Sequence, residues 1–234
     1  RISNHKYHSG KYTVHTYLTA GNGIRTSKPY SKGVMVKPVQ AKVSAKGDSQ
    51  QKEYTLSVTN TGVFGNVTDL QYAVWSDTNG QDDLKWLFSN VGSDGTGSVK
   101  TQIKDYASYG DYSVDVYGTV NGQQIFMGHT SFEVTAPTWE IEIANQDDEA
   151  GTFDVIVKNI ESKSGVSQVQ IPVWCASDQS DIVWYEATRQ SDGSYKATVR
   201  ISNHKYHSGK YTVHTYLTAG NGIRTSKPYS KGVM

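Results

Sequence analysis

Two pairs of tryptophans are the residues in this sequence best able to do chemistry. Trp75 and Trp86 recur as Trp174 and Trp184, with Asp82 and Asp83 beside the first pair and Asp181 beside the second. A flat aromatic ring next to a hydrogen-bonding carboxylate suits stacking on a sugar ring and bonding to its hydroxyls. Tyr185, adjacent to Trp184, joins this set. The candidate ligand-binding residues are therefore Trp75, Asp82, Asp83, Trp86, Trp174, Asp181, Trp184 and Tyr185. The favoured alternative is that one tryptophan of each pair fills a core.

Other chemistry is weaker. His204, His207 and His214 are duplicated as His5, His8 and His15, and an H-x-x-H pair could ligate zinc with further donors. No cysteine lies near them, and the first repeat carries Asp105, Ser108 and Asp115 instead, so no metal site is expected. Asp77, Asn79, Asp82 and Asp83 resemble a calcium loop in density only. Its sixth position demands glycine, and here it is Asp82. Asp147, Asp148 and Glu149 read as a solvated loop. There is no nucleophile elbow, phosphate loop or dinucleotide fingerprint. We expect no catalytic residue and no cofactor. The lone Cys175 reads as a small buried hydrophobe rather than a reactive thiol.

The elements that position these residues are repeated. Residues 1–35 recur letter for letter as residues 200–234, 199 positions on. Identity that includes the loops needs recent duplication, so we expect a piece of a tandem array. A weaker repeat lies beneath it at an offset of 99, pairing Val74-Trp75 with Val173-Trp174, Tyr112 with Tyr211 and Tyr117 with Tyr216. Trp86 meets Trp184 after a one-residue gap. The expected units are residues 36–135 and 137–234, with 1–35 the tail of a preceding second-type unit.

Each unit gives about seven runs of period-2 alternation. In the second they fall near 138–144, 152–158, 167–175, 181–187, 194–201, 210–218 and 223–232. Asn79-Gly80, Asn121-Gly122, Asn221-Gly222 and Asp192-Gly193 read as type I′ hairpin dipeptides. Tyr112 and Tyr211 open the sixth run behind a glycine-containing corner, where a tyrosine corner would sit. The fold class is all-β: tandem immunoglobulin-like antiparallel β-sandwich modules of about seven strands each. A third-strand tryptophan fills the core in immunoglobulin domains, which is the ground for the favoured alternative above. The short Thr135-Ala136-Pro137 join favours a stiff rod.

Composition narrows the partners. A net charge of +1 over 234 residues leaves no electrostatic footprint for nucleic acid. No apolar run is long enough to insert in a membrane as a helix.

The stretches VWSDTNGQDDLKWLF (Val74–Phe88) and VWCASDQSDIVWYEA (Val173–Ala187), with GDYSVDVYGT and GKYTVHTYLTAGNG, resemble the Bsp-like repeat of Gram-positive surface proteins, first named from a group B streptococcal protein. The first unit fits the pattern better, since the second lacks the Asn-Gly turn and one aspartate. The resemblance implies an extracellular or cell-wall location and a non-catalytic, accessory role. That role is a stalk or spacer, or alternatively a module that targets cell-wall glycan or peptidoglycan for a separate hydrolase or adhesin domain. Residues 1–35 hold only the last strands of a module, with Tyr12, Val14 and Leu18 lacking a partner sheet. We expect them to pair with neighbouring copies, by strand exchange or by end-to-end continuation.

Overall fold

The computed structural model describes residues 2–5, 7–37 and 39–233. The N-terminal segment carries β1 (Gly10–Tyr12), β2 (His15–Thr19), β3 (Arg25–Pro29) and β4 (Val34–Val36). Seven strands follow: β5 (Lys42–Gly47), β6 (Glu53–Thr59), β7 (Val67–Ser76), β8 (Lys85–Asn90), β9 (Gly97–Gln102), β10 (Gly110–Val120) and β11 (Gln123–Val134). Eight more complete the chain: β12 (Thr138–Asp147), β13 (Thr152–Glu161), β14 (Val166–Trp174), β15 (Val183–Glu186), β16 (Thr188–Arg189), β17 (Tyr195–Arg200), β18 (Thr212–Ala219) and β19 (Arg224–Pro228).

The two larger sets build the same kind of object, the second with one strand more, the short β16. In the first, β5-β6-β9 faces β8-β7-β10-β11. In the second, β12-β13-β17-β16 faces β15-β14-β18-β19. All pairings are antiparallel, which makes each set an immunoglobulin-like sandwich. Alternation drives this arrangement. In β10, Tyr112, Val114 and Val116 are buried while Ser113, Asp115 and Tyr117 turn outward. In β18, Val213, Thr215 and Leu217 are buried while His214, Tyr216 and Thr218 turn outward. Leu56, Leu70, Tyr72 and Val114 anchor one core, and Val155, Ile171, Val173 and Leu217 the other. Each such apolar side chain contributes roughly 1.5–3 kcal/mol by burial.

The expected turns divide. Asn121-Gly122 has positive φ at both positions and joins β10 to β11 as a two-residue loop. Asn79 and Gly80 also share positive φ, but within a longer loop. Asp192-Gly193 and Asn221-Gly222 are not type I′, because only the glycine of each has positive φ. Each closes a three-residue loop, a geometry that needs one left-handed residue rather than two.

The tyrosine corner is present in every copy. The hydroxyls of Tyr112 and Tyr211 donate to the carbonyls of Ser108 and His207, each at 2.6 Å. Tyr12 does the same to His8 at 2.5 Å. Gly110, Gly209 and Gly10, two residues before each tyrosine, take φ of +109°, +130° and +113°, which a side chain would resist.

The N-terminal segment repeats the local structure of residues 201–233 without its surroundings. Leu18 pairs with Thr26 as Leu217 pairs with Thr225, and Tyr12 faces Val34 as Tyr211 faces Val233. Yet Leu18 is 71% exposed where Leu217 is fully buried, because no facing sheet covers the first hairpin.

Removing the corner hydroxyl tests how much the sandwich depends on it. Tyr112→Phe should destabilise the first module by about 1–2 kcal/mol, read as a lower denaturant midpoint at unchanged slope. An unaltered midpoint would make the bond dispensable.

Candidate functional site: exposed aromatic faces and the joint between modules

The outer faces of the sheets β8-β7-β10-β11 and β15-β14-β18-β19 are aromatic. Across the first, Trp86 on β8 pairs with Ala73 on β7, and Phe88 with Gln71. Tyr117 on β10 lies opposite both Gln71 and Phe126 on β11. Trp86 and Tyr117 have ring centroids 5.8 Å apart, and Tyr117 and Phe126 5.5 Å. Gln124 bonds Gln71 at 2.6 Å beside them, and Asp115 meets His129 at 2.8 Å. A cleft of about 910 Å³ borders this face, lined by Tyr117 and Phe126 on one side and Tyr7 and His8 on the other.

The second module repeats the face in altered form. Trp184 and Tyr216 sit 5.1 Å apart, and Trp174 meets the His214 ring at 5.0 Å. The Arg224 guanidinium lies 4.3 Å from the Tyr216 ring centre and 5.3 Å from that of Trp184. It is held there by a 2.8 Å bond to Gln170. Such stacking of a cation on ring faces contributes about 0.5–1 kcal/mol at exposed sites. The N-terminal hairpin carries the same element, Arg25 over Tyr17 at 4.2 Å.

The structure therefore sorts the sequence candidates. Trp86 and Trp184 are 44% and 48% exposed, and Trp75 and Trp174 are half-buried on the same outer faces. The expectation that one of each pair fills the core fails. The buried tryptophan is Trp139, whose indole donates to Thr215 at 2.8 Å between the sheets. Period-2 alternation explains the error. Val74 and Val173 already point inward, so their neighbours must point out.

The carboxylates do not join the rings. Asp83 accepts from the Ser76 backbone at 2.9 Å and its hydroxyl at 2.8 Å, tying the loop after β7 to the strand end. Asp181 is buried and accepts from the Cys175 and Ala176 backbone N–H groups and from His207 at 3.0 Å. Asp82 sits in the loop between β7 and β8, exposed to solvent. Tyr185 faces inward, its hydroxyl 2.8 Å from Nε2 of the fully buried His204. His204 is thus a core histidine, and no group of three or more metal-binding side chains exists among the described residues. Burial, reinforced by Asp181, pushes the half-buried Cys175 thiol up in pKa, which disfavours the reactive thiolate. The site residues that sequence reasoning missed are Phe88, Tyr117, Phe126, Tyr216 and Arg224. The signal for two of them was available in the outward phase of Tyr117 and Tyr216.

A second feature lies between the modules. The turn before β10 meets the loop joining β18 to β19. Tyr109 donates to Asn221 Oδ1 at 3.2 Å and to the Ile223 carbonyl at 3.3 Å. Ile223, though in the second module, is buried in the first module's core cluster. Burial pushes the Tyr109 hydroxyl up to about 12. Lys163 reaches Thr135 at 3.2 Å across the join.

Comparison with known proteins gives one family. The model of the GBS Bsp-like repeat matches residues 43–132 and again 142–228, more than half of the chain. A polysaccharide deacetylase from Bacillus cereus is similar over 44% of this chain and 31% of its own, at 16% identity and TM-score 0.34. The chain thus spans under a third of that protein. Three fibronectin domains of chicken CNTN1 align over 92% of this chain and 77% of theirs, at 14% identity and TM-score 0.30. A pullulanase from Anoxybacillus aligns over 79% of this chain and 25% of its own, at 9% identity and TM-score 0.31. No curated protein matches the sequence.

Asp181 gives a test with a defined sign. Burial raises its pKa, but the bonds from Ala176, His207 and Cys175 outweigh that and hold it below the usual aspartate range. Its stabilisation is therefore full above the ordinary aspartate pKa and is lost as pH falls through the lower folded value. Asp181→Asn should cost about 2–3 kcal/mol at pH 7. The gap between variant and parent should narrow below about pH 4. A gap independent of pH in chemical denaturation would rule the charged anchor out.

Proposed function

Since the chain belongs to the GBS Bsp-like repeat family, we propose that it is a non-catalytic spacer, a stretch of a tandem-module stalk on a Gram-positive cell surface or in the cell wall. Its units are residues 36–135 and 137–234, and residues 1–35 are the tail of a preceding second-type unit. The observation that carries this reading is the joint: Tyr109 bonded to Asn221 and Ile223, with Ile223 seated in the neighbouring module's core. A flexible tether would need no such fit. A spacer that resists bending does. The carboxylates agree with a structural role. Asp69, Asp154 and Asp181 are each raised by burial and lowered further by hydrogen bonds, which suits ionised anchors rather than general acids.

An extracellular place fits the family, and no helix among the described residues is long and apolar enough to cross a membrane. The exposed face of the N-terminal hairpin, with Tyr17, Leu18 and Ile24, supports pairing of that segment with a neighbouring copy.

A second reading is favoured by the aromatic faces. Trp86 with Tyr117, and Trp184 with Tyr216, would stack on cell-wall glycan, with Gln71 or Gln170 bonding its hydroxyls. The module would then target a glycan for a separate domain.

Two measurements separate the readings. Spin labels on the two modules should give one narrow distance distribution, and Tyr109→Ala should broaden it without changing the circular dichroism. A broad distribution in the parent chain would sink the rigid spacer. Saturable retention on purified cell walls, lost in Trp86→Ala with Trp184→Ala, would establish the glycan reading. No retention would leave only the spacer.

A further inference from the structure

We propose that the turn bearing Tyr206 is a docking site for a copy of the first module, which it grips through the loop holding Phe64. This inference rests on the spacer reading and gives the array its order. It starts from one sequence seen in two surroundings. Tyr7 and Tyr206 are the same residue of the duplicated segment. Tyr7 packs on Phe64, ring centroids 5.3 Å apart, and its hydroxyl donates to the Phe64 carbonyl. Phe64 itself is buried in the first module's core, with Tyr7 packed against that cluster. Tyr206 has no such partner and is 74% exposed.

The free copy is already set for the contact. Tyr206 has φ +57° and Tyr7 has φ +58°. Left-handed backbone at a bulky residue is uncommon and strained. It persists at residue 206 with no ring beneath it, so the turn and not the contact imposes it. One bond of the turn is the same in both places, His8 N–H to His5 carbonyl and His207 N–H to His204 carbonyl, at 3.1 and 3.0 Å. A side chain held in its bound conformation gives up little freedom on docking.

The two joints are not interchangeable. The position matching Tyr206 in the first module is Ala107, and the position matching Phe64 in the second is Lys163. The other joint uses Tyr109 against Ile223, where the second module offers Ser208 and the first offers Gln123. A second-type end therefore fits a first-type start, and a first-type end fits a second-type start. Each wrong pairing puts a small or charged residue where an aromatic or apolar one is needed. The modules would alternate without any external template.

The test extends the full chain after Met234. One version adds residues 36–135, which reproduces the join already present at residues 35–36, and another adds residues 137–234. Spin labels are placed on the second module and on the added one. The expected result is a single narrow distance with residues 36–135, broadened by Tyr206→Ala, and a broad distribution with residues 137–234. Because Tyr206 is exposed, its substitution should leave the circular dichroism of the 234-residue chain unchanged. A broad distribution with residues 36–135, a narrow one that ignores Tyr206→Ala, or equal narrowness in both extensions would overturn the proposal. A label pair across the Tyr109 joint of the same chains keeps the two ideas apart. If that pair is narrow while the new one is broad, only this inference fails.

Discussion

A tyrosine hydroxyl bonded to the carbonyl four residues before it fixes the turn that enters the sixth strand, and the rest of the molecule is arranged around that turn. The bond closes at Tyr112 and at Tyr211, and also at Tyr12, where no sandwich surrounds it. Its persistence at Tyr12 shows that the corner needs only its own residues. The glycine two positions earlier takes the conformation that a side chain would resist, and the ring then lies back along the chain. Within a full module the same ring also fills the core, so one residue secures a local turn and a long-range contact together. Near the corner, Tyr109 and Tyr7 each meet the module that follows in the chain.

The strands were legible because their inward residues alternate with polar ones. In the second module the expected runs near 152–158 and 167–175 match Thr152–Glu161 and Val166–Trp174. The corner was legible because glycine and tyrosine recur at fixed spacing. The tryptophans were misplaced for a specific reason. An analogy with other sandwiches set one tryptophan of each pair in the core, although Trp75 and Trp174 read as pointing away from the apolar face of their strand, because the valines beside them claim the inward phase. The core tryptophan sits on the edge strand β12, at Trp139, where nothing in its immediate sequence singles it out.

The candidate site divided along the same line between local and distant information. The outward phase of Tyr117 and Tyr216 could be read along a single strand, but their meeting with Trp86 and Trp184 depends on cross-strand register. Asp83 and Asp181 lie near the tryptophans in sequence, yet their oxygens turn to backbone N–H groups at or just past the end of the preceding strand. Nearness along a chain is poor evidence of a shared site when the strands between reverse direction. The joint at Tyr109 was invisible for a related reason. Its partners lie more than a hundred residues away.

The duplicated segment separates what its sequence dictates from what its surroundings add. Both copies form the same turn, the same hairpin register and the same corner bond. Only one buries its apolar face. Ile24 is 62% exposed, whereas Ile223 is 4% exposed because the preceding module receives it. Local bonds therefore preorganise the pieces, and burial against the neighbouring module is what the second copy adds. In a chain of repeats this division has a consequence for order. If each module had its own complete and indifferent surface, neighbours could be exchanged freely and the joints would loosen. Here Ile223 completes the core of the module before it, and Tyr7 covers Phe64 of the module after it. The first module thus leaves parts of its packing to the segments on either side of it, and on the proposed spacer reading stiffness and order would arise from the same contacts.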